Sequence, residues 1–457
     1  MTDQPNLGTP QIRGVALSVA LFASLSGTLL AQDAQPSRVL FINVHVFDGK
    51  SEQRIENANV LVEGNVIKQV STENIAATNA TVIDGGGRTL MPGLIDNHWH
   101  SMFAALSQEK LLNSDIGYIN LVASQQSRET LLRGFTSVRD VGGPVFGLKQ
   151  AIDEGLIDGP RIYPSGAYIS QTSGHGDFRG KNDVPAQQGR PLTYLERIGV
   201  TLVADGKPEV IKRTREVLRM GSTQIKVMAG GGVSSFYDPV DVSQYTIEEL
   251  KAIVEVARTW NTYVTVHAFS DDAVRRAVEA GVLCIEHGHM MSEDTIRLLA
   301  EKDVWLSMQP ILNDEDAIPF AEGSFSQQKF IQVTDGTEFV LRMARIHKVK
   351  LAWGTDTLFD PELARKQGKQ LVKMTRWFNM HEVLKMATHD NAELLKLCGP
   401  RDPYPGKLGV VEQGALADLI LVEGNPLENI QLIADPGKNF VVIMKDGVIY
   451  KNNLPAK

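Results

Sequence analysis

The sequence predicts an α/β chain: a (β/α)8 barrel of the TIM type that carries a small β-sandwich built from both chain ends. Three observations predict it. Eight short apolar runs in the middle of the chain alternate with helical stretches. Both ends are instead rich in short strands joined by tight turns. The length, 457 residues, suits a barrel of about 250 residues plus a smaller domain.

Residues 1–31 read as a secretory signal. Arg13 precedes an apolar run over 14–30, and Ala31 closes it before the polar Gln32-Asp33. Ser18, Ser24, Ser26, Gly27 and Thr28 interrupt the run, which suits a bilayer span poorly. Cleavage near Ala31 is expected, with a secreted or periplasmic mature protein that has no membrane attachment.

The N-terminal part of the sandwich is expected over 36–90. Arg38–Val46 reads as a strand, 59–67 as a hairpin around Gly64-Asn65, and 81–84 as a further short strand. The C-terminal part is expected over 405–452. It holds a strand over 418–422 and a hairpin over 441–450 around Asp446-Gly447.

The barrel is expected over 91–400. Its strands are placed at 90–95, 136–140, 161–168, 223–228, 263–268, 282–286, 304–308 and 350–354. Thr246 and Glu249 form a capping box, and Leu250, Ile253, Val254 and Ala257 follow at helical spacing. Ser270 and Ser292 read as further N-caps, and Gly155, Gly221 and Gly281 as helix stops. The stretch 176–202 is polar and glycine-rich and reads as one long active-site loop.

Composition excludes some classes of function. The net charge is −8 and no basic stripe is present, so nucleic acid is not an expected partner. Two cysteines, Cys284 and Cys398, do not make a disulfide framework.

The chemistry concentrates at strand ends. His98 and His100 lie two residues apart at the end of the first barrel strand, so both side chains leave on one side and can grip one metal. Lys226 lies inside an apolar strand, where an ammonium is costly unless paired or modified. Three glycines follow at 230–232 without the spacing of a phosphate loop. His267, His287 and Asp356 each end a later strand. Any one of these is ordinary in a core or at a rim; five strand ends in chain order are not.

This set resembles the two-metal branch of the amidohydrolase superfamily, over about residues 38 to 452. The resemblance implies that His98, His100 and Asp356 bind one divalent ion and His267 and His287 a second, with zinc the expected metal. It also implies that Lys226 is carboxylated by carbon dioxide and bridges the two. The texture around 91–100, 285–288 and 353–356, and the segment 173–177, is similar to a subgroup of imidazolonepropionase-like proteins, Xaa-Pro dipeptidases and ochratoxin-hydrolysing amidohydrolases.

The expected function is hydrolysis of amide bonds in carboxylate-bearing small molecules such as dipeptides, Xaa-Pro-like compounds or N-acyl amino acids, with ochratoxin A as one candidate. Paired metal ions lower the pKa of a shared water and polarise the carbonyl. Asp356 is expected to carry the proton to the leaving amine, and His175 to hold the carbonyl oxygen or substrate. Tyr237, Arg179 and His289 are candidates to bind the substrate carboxylate. A mononuclear deaminase or cyclic-imide hydrolase is the alternative on this fold, and a periplasmic binding protein on a degenerate barrel is the non-enzymatic one. A homo-oligomer is expected.

Overall fold

A computed structural model describes residues 1, 36–183, 190–317 and 320–455. The expected signal and its cleavage site lie outside the described residues.

The N-terminal strands are β1 (Arg38–Val46), β2 (Ile55–Glu63), β3 (Val66–Ser71) and β4 (Thr81–Pro92). β2 and β3 meet at the Gly64-Asn65 turn. β4 continues eight residues beyond the expected Asp84. It has partners on both sides along that length, β1 parallel on one and a C-terminal strand antiparallel on the other.

The barrel strands are β5 (Leu94–Trp99), β6 (Phe135–Asp140), β7 (Arg161–Pro164), β8 (Tyr168–Ser170), β9 (Thr201–Val203), β10 (Ile225–Met228), β11 (Val264–Ser270), β12 (Cys284–Met290), β13 (Trp305–Met308) and β14 (Leu351–Trp353). They form two parallel sheets, β5-β6-β7 and β9-β8-β10-β11-β12-β13-β14. Every residue of β6, β7 and β10 is buried, as in parallel strands covered on both faces.

Two seams join the sheets into a ring. At the first, the strand expected over 161–168 is broken. Gly166 turns with φ 70°, so β7 stays with β6 while β8 pairs with β10 and β9. Thr223 N–H donates to Pro164 O (2.8 Å) and Gln224 Nε2 to Tyr163 O (3.0 Å), which ties β7 to β10. At the second, Asn391 lies between the first and last strands. Its Nδ2 donates to Ile95 O (2.7 Å) and Trp353 O (2.8 Å), and its Oδ1 accepts from Trp353 N–H (3.0 Å). Asp356 N–H donates to His98 O at 2.8 Å across the same seam.

The stretch 176–202 departs from the single loop expected. It contains a helix, Tyr194–Ile198, opened by a Thr193–Glu196 capping box, and it ends in β9. The Thr246 capping box opens the helix Ile247–Thr259 as expected. Gly155, Gly221 and Gly281 all adopt positive φ at helix ends.

The C-terminal strands are β15 (Leu419–Val422), β16 (Phe440–Lys445) and β17 (Val448–Asn452). They complete one seven-stranded sheet in the order β17-β16-β15-β4-β1-β2-β3. Its two end hairpins meet, since Asn65 Nδ2 donates to Asp446 Oδ1 at 3.1 Å. Phe41, Val60, Leu90, Leu421 and Met444 share the core inside it. Phe440, Ile443 and Ile420 instead join the barrel core, so the sandwich also covers one side of the barrel.

Candidate active site

The strand ends converge on a buried cluster. His98 Nε2 and His100 Nε2 each lie 3.2 Å from Asp356 Oδ1. The ligand atoms of these three side chains fall within 4.8 Å of one another, a spacing that a single ion can span. His287 adjoins them, its ring centroid 4.9 Å from that of His98 and 4.5 Å from that of His267. His287 and Asp356 both adopt left-handed backbone conformations, φ 79° and 52°. Such residues cost on the order of 1–3 kcal/mol each and persist where the surroundings fix them.

Each histidine has one ring nitrogen held by an acceptor. His98 Nδ1 meets Glu286 Oε2 (2.9 Å), His100 Nδ1 meets Gly142 O (3.3 Å), His267 Nε2 meets Gly231 O (2.9 Å) and His287 Nδ1 meets Gln309 Oε1 (2.6 Å). An oxygen acceptor requires N–H on the nitrogen facing it. That leaves Nε2 of His287 and Nδ1 of His267 with free lone pairs, while Nε2 of His98 and of His100 face the Asp356 carboxylate. Burial holds His267 and His287 well below the usual imidazole range, in the neutral form a metal needs. Burial pushes the Asp356 carboxyl up, but His98 and the other imidazoles outweigh it and hold Asp356 well below the usual carboxylate range.

Lys226 is the odd member. It is 1% exposed, and its Nζ has no hydrogen-bond partner among the described residues. Burial pulls the ammonium down to about 8, against the pull of Glu286 and Asp356. Its charge reaches His98, His267 and His287. An uncompensated amine here, among free imidazole lone pairs, fits a site built to hold metal. The donor set, four imidazoles and a carboxylate, fits divalent ions.

The Amidohydrolase family profile matches residues 89–450, which contain every one of these side chains. The chain belongs to the amidohydrolase family. Members of this family are metal-dependent, and this amidohydrolase hydrolyses amide bonds. It is similar to ochratoxinase of Aspergillus niger, 32% identical over 374 residues that cover 79% of this chain and 75% of the relative. Among solved structures it is similar to a prolidase complexed with N-methylphosphonate-L-proline, with TM-score 0.84 and 33% identity, over 91% of this chain and 100% of that one. A Xaa-Pro dipeptidase with methionine bound in its active site gives TM-score 0.79 and 30% identity, over 91% and 100%.

The amidohydrolase pocket is lined by His98, His100, Lys226, His267, His287, Asp356 and His175. The His175 ring stacks on that of His267, centroids 4.2 Å apart. Burial drives its imidazole down to about 4. The other three expected residues do not line the pocket. Arg179 is held by Asp177, with contacts of 2.7 and 2.5 Å. Tyr237 is exposed and its Oη accepts from Lys181 N–H at 3.0 Å. His289 is buried, and its Nε2 donates to Gln309 O at 3.1 Å.

The structure adds residues that sequence reasoning did not single out. Glu286 is fully buried behind His98 and accepts from Arg139 Nη2 at 2.6 Å and from Thr265. Arg139, itself fully buried, also donates from Nε to Asn97 O at 2.7 Å. Gln309 orients His287. Lys373 lines the pocket and lies 2.8 Å from both Asp314 and Asp316. The signal available in sequence was Glu286 directly before His287, inside an apolar strand.

Proposed function

We propose that this amidohydrolase is a two-metal enzyme that cleaves amides of carboxylate-bearing small molecules: dipeptides, Xaa-Pro-like compounds or N-acyl amino acids. Ochratoxin A, cleaved to ochratoxin α and phenylalanine, is one candidate. The observation that carries the two-metal reading is the unpartnered, buried Lys226 beside both histidine pairs. Carboxylation would turn this amine into an anionic oxygen ligand able to bridge two ions, which a mononuclear deaminase would not need. His98, His100 and Asp356 would hold one ion and His267 and His287 the other, with zinc suited to the imidazole-rich donor set. The ions supply Lewis acidity, which favours a nucleophilic water and polarises the amide carbonyl.

The chain's own residues do the rest. Asp356, kept ionised by its imidazole neighbours, takes the proton from the nucleophilic water and delivers it to the departing amine nitrogen. His175 faces the pocket beside His267 and positions the amide oxygen. Two apolar groups border the site, Phe103, Phe178 and Phe359 in one and Phe269 and Ile311 in the other. They favour a substrate with a bulky apolar group and exclude water around the reacting bond. Among the described residues, the lysine at the pocket wall apart from Lys226 is Lys373. It is already paired with Asp314 and Asp316, so taking a substrate carboxylate would require it to turn from them. The two similar proteins named as peptidases, and ochratoxinase by its name, support this substrate class.

The test is a screen of dipeptides, N-acyl amino acids and ochratoxin A on protein supplied with zinc and bicarbonate, read by mass spectrometry. Release of a free amino acid from at least one substrate is expected. Hydrolysis of none, with ammonia released from a cyclic or purine substrate instead, would overturn the reading. Export after cleavage near Ala31 is part of the proposal; N-terminal sequencing of native protein that retains Met1 would contradict it.

A further inference from the structure

Lys329 has no part in the reaction just described, yet it is 1% exposed. It lies on the helix Phe325–Ile346. Its Nζ donates to Gly232 O (2.7 Å), Ser235 O (2.7 Å) and Asp238 O (3.3 Å). Three carbonyls satisfy all three protons of an ammonium. All three belong to the segment that leaves β10 and supplies Val233 and Ser234 to the pocket wall.

The same segment fixes His175. A Cβ on Gly232 would lie 2.0 Å from the His175 ring, so the ring rests directly on that glycine. Asp238 Oδ2 accepts from Gly232 N–H (2.9 Å) and from Gln244 Nε2 (3.2 Å), and lies 3.8 Å from His175 Nδ1. Gln244 Oε1 accepts from His175 N–H at 3.0 Å. A Cβ on Gly231 would lie 1.7 Å from Pro239 O. The glycines after Lys226 therefore serve close packing of this segment. A continuous line of contacts runs from Lys329 through Gly232 and Asp238 to His175, and from there to His267.

We propose that Lys329 is a positioning residue: a fixed internal cation that draws residues 232–238 inward and so holds His175 at the reacting amide. The inference rests on the proposed amide hydrolysis at this site.

The experiment compares Lys329→Met, which keeps the apolar stem, with Lys329→Ala and with wild type, all loaded with zinc and bicarbonate. Amide hydrogen exchange over residues 230–239 is read without substrate, and steady-state kinetics on a substrate the wild type cleaves. Faster exchange is expected in Lys329→Met, with metal content retained and kcat lowered more than KM is changed. A misplacement of about 1 Å costs on the order of 10²-fold in rate. In Lys329→Ala, n-propylammonium should restore slow exchange and turnover saturably, and tetramethylammonium should not. Wild-type exchange, kcat and KM in Lys329→Met would overturn the proposal. If neither lysine variant folds, Gly232→Ala tests the same contact. It should retain metal and lose turnover, and wild-type kinetics there would overturn the proposal. A wild type inactive on every amide would overturn the functional reading, while the exchange data still judge the clamp.

Discussion

Asp356 places its Oδ1 3.2 Å from two imidazole nitrogens, on a backbone at φ 52°. Asp356→Asn keeps the shape and one oxygen donor but removes the basicity. Metal binding should weaken, and turnover of the loaded variant should fall about 10²–10⁴-fold, the usual worth of a positioned acid–base group. Near wild-type turnover in that variant, with collapse in His175→Asn, would move the proton transfer to His175. Glu286 acts one contact further out. Glu286→Gln leaves one acceptor oxygen for His98, Arg139 and Thr265, which Glu286 now serves with two. Metal affinity, measured by chelator competition, should fall about 10–100-fold, as for other groups that orient a ligand histidine. Unchanged affinity would show that Gln309, whose Nε2 lies 3.2 Å from His98 Nδ1, or packing alone orients the His98 ring.

Strands and loops aim these side chains, and Asn391 supplies hydrogen bonds that close the ring, beside that of Asp356 N–H to His98 O. Asn391 makes three hydrogen bonds to β5 and β14 where no backbone ladder joins them. Asn391→Ala should cost about 1–3 kcal/mol for the orphaned buried groups, read as a lower urea midpoint. It should also loosen Asp356, two residues past Gly354, whose own Cβ position lies 2.3 Å from His98 N. Alternation of apolar runs and helices made the barrel legible, and the two-residue strand period made the pair His98 and His100 legible. The same period does not hold at β12. His287 and Gly288 both take positive φ there, so His289 turns to Gln309 O instead of the pocket. Arg179 reads as a free cation in sequence, but Asp177 two residues earlier neutralises it. Glu286 escaped notice because its partner Arg139 is 147 residues away. The break in the third strand is marked in sequence by Pro164-Ser165-Gly166, a turn signal inside the single strand expected over 161–168, and β8 then pairs with β10.

At the scale of the whole molecule, the buried histidines set how the metal-free protein responds to acid. Burial holds His267 and His287 well below the ordinary range, and His175 and His289 down to about 4. Unfolding returns each to about 6.5. Below that pH the unfolded chain binds protons that the folded chain does not, so stability falls as pH falls. His98 works the other way: burial opposes its protonation, but Asp356 and Glu286 together outweigh burial and raise it. Asp140, which burial pushes up to about 6, works with His98; four groups against two predict a lower melting temperature for metal-free protein at about pH 5 than at about pH 7.5, and an equal or higher one would contradict it. Metal counting on purified protein supplied with zinc and bicarbonate, beside Lys226→Ala, decides whether this is a two-metal site. Two ions per chain are expected in the wild type, and loss of most of the metal in the variant. One ion or none in the wild type, or an unchanged count in Lys226→Ala, would contradict that expectation.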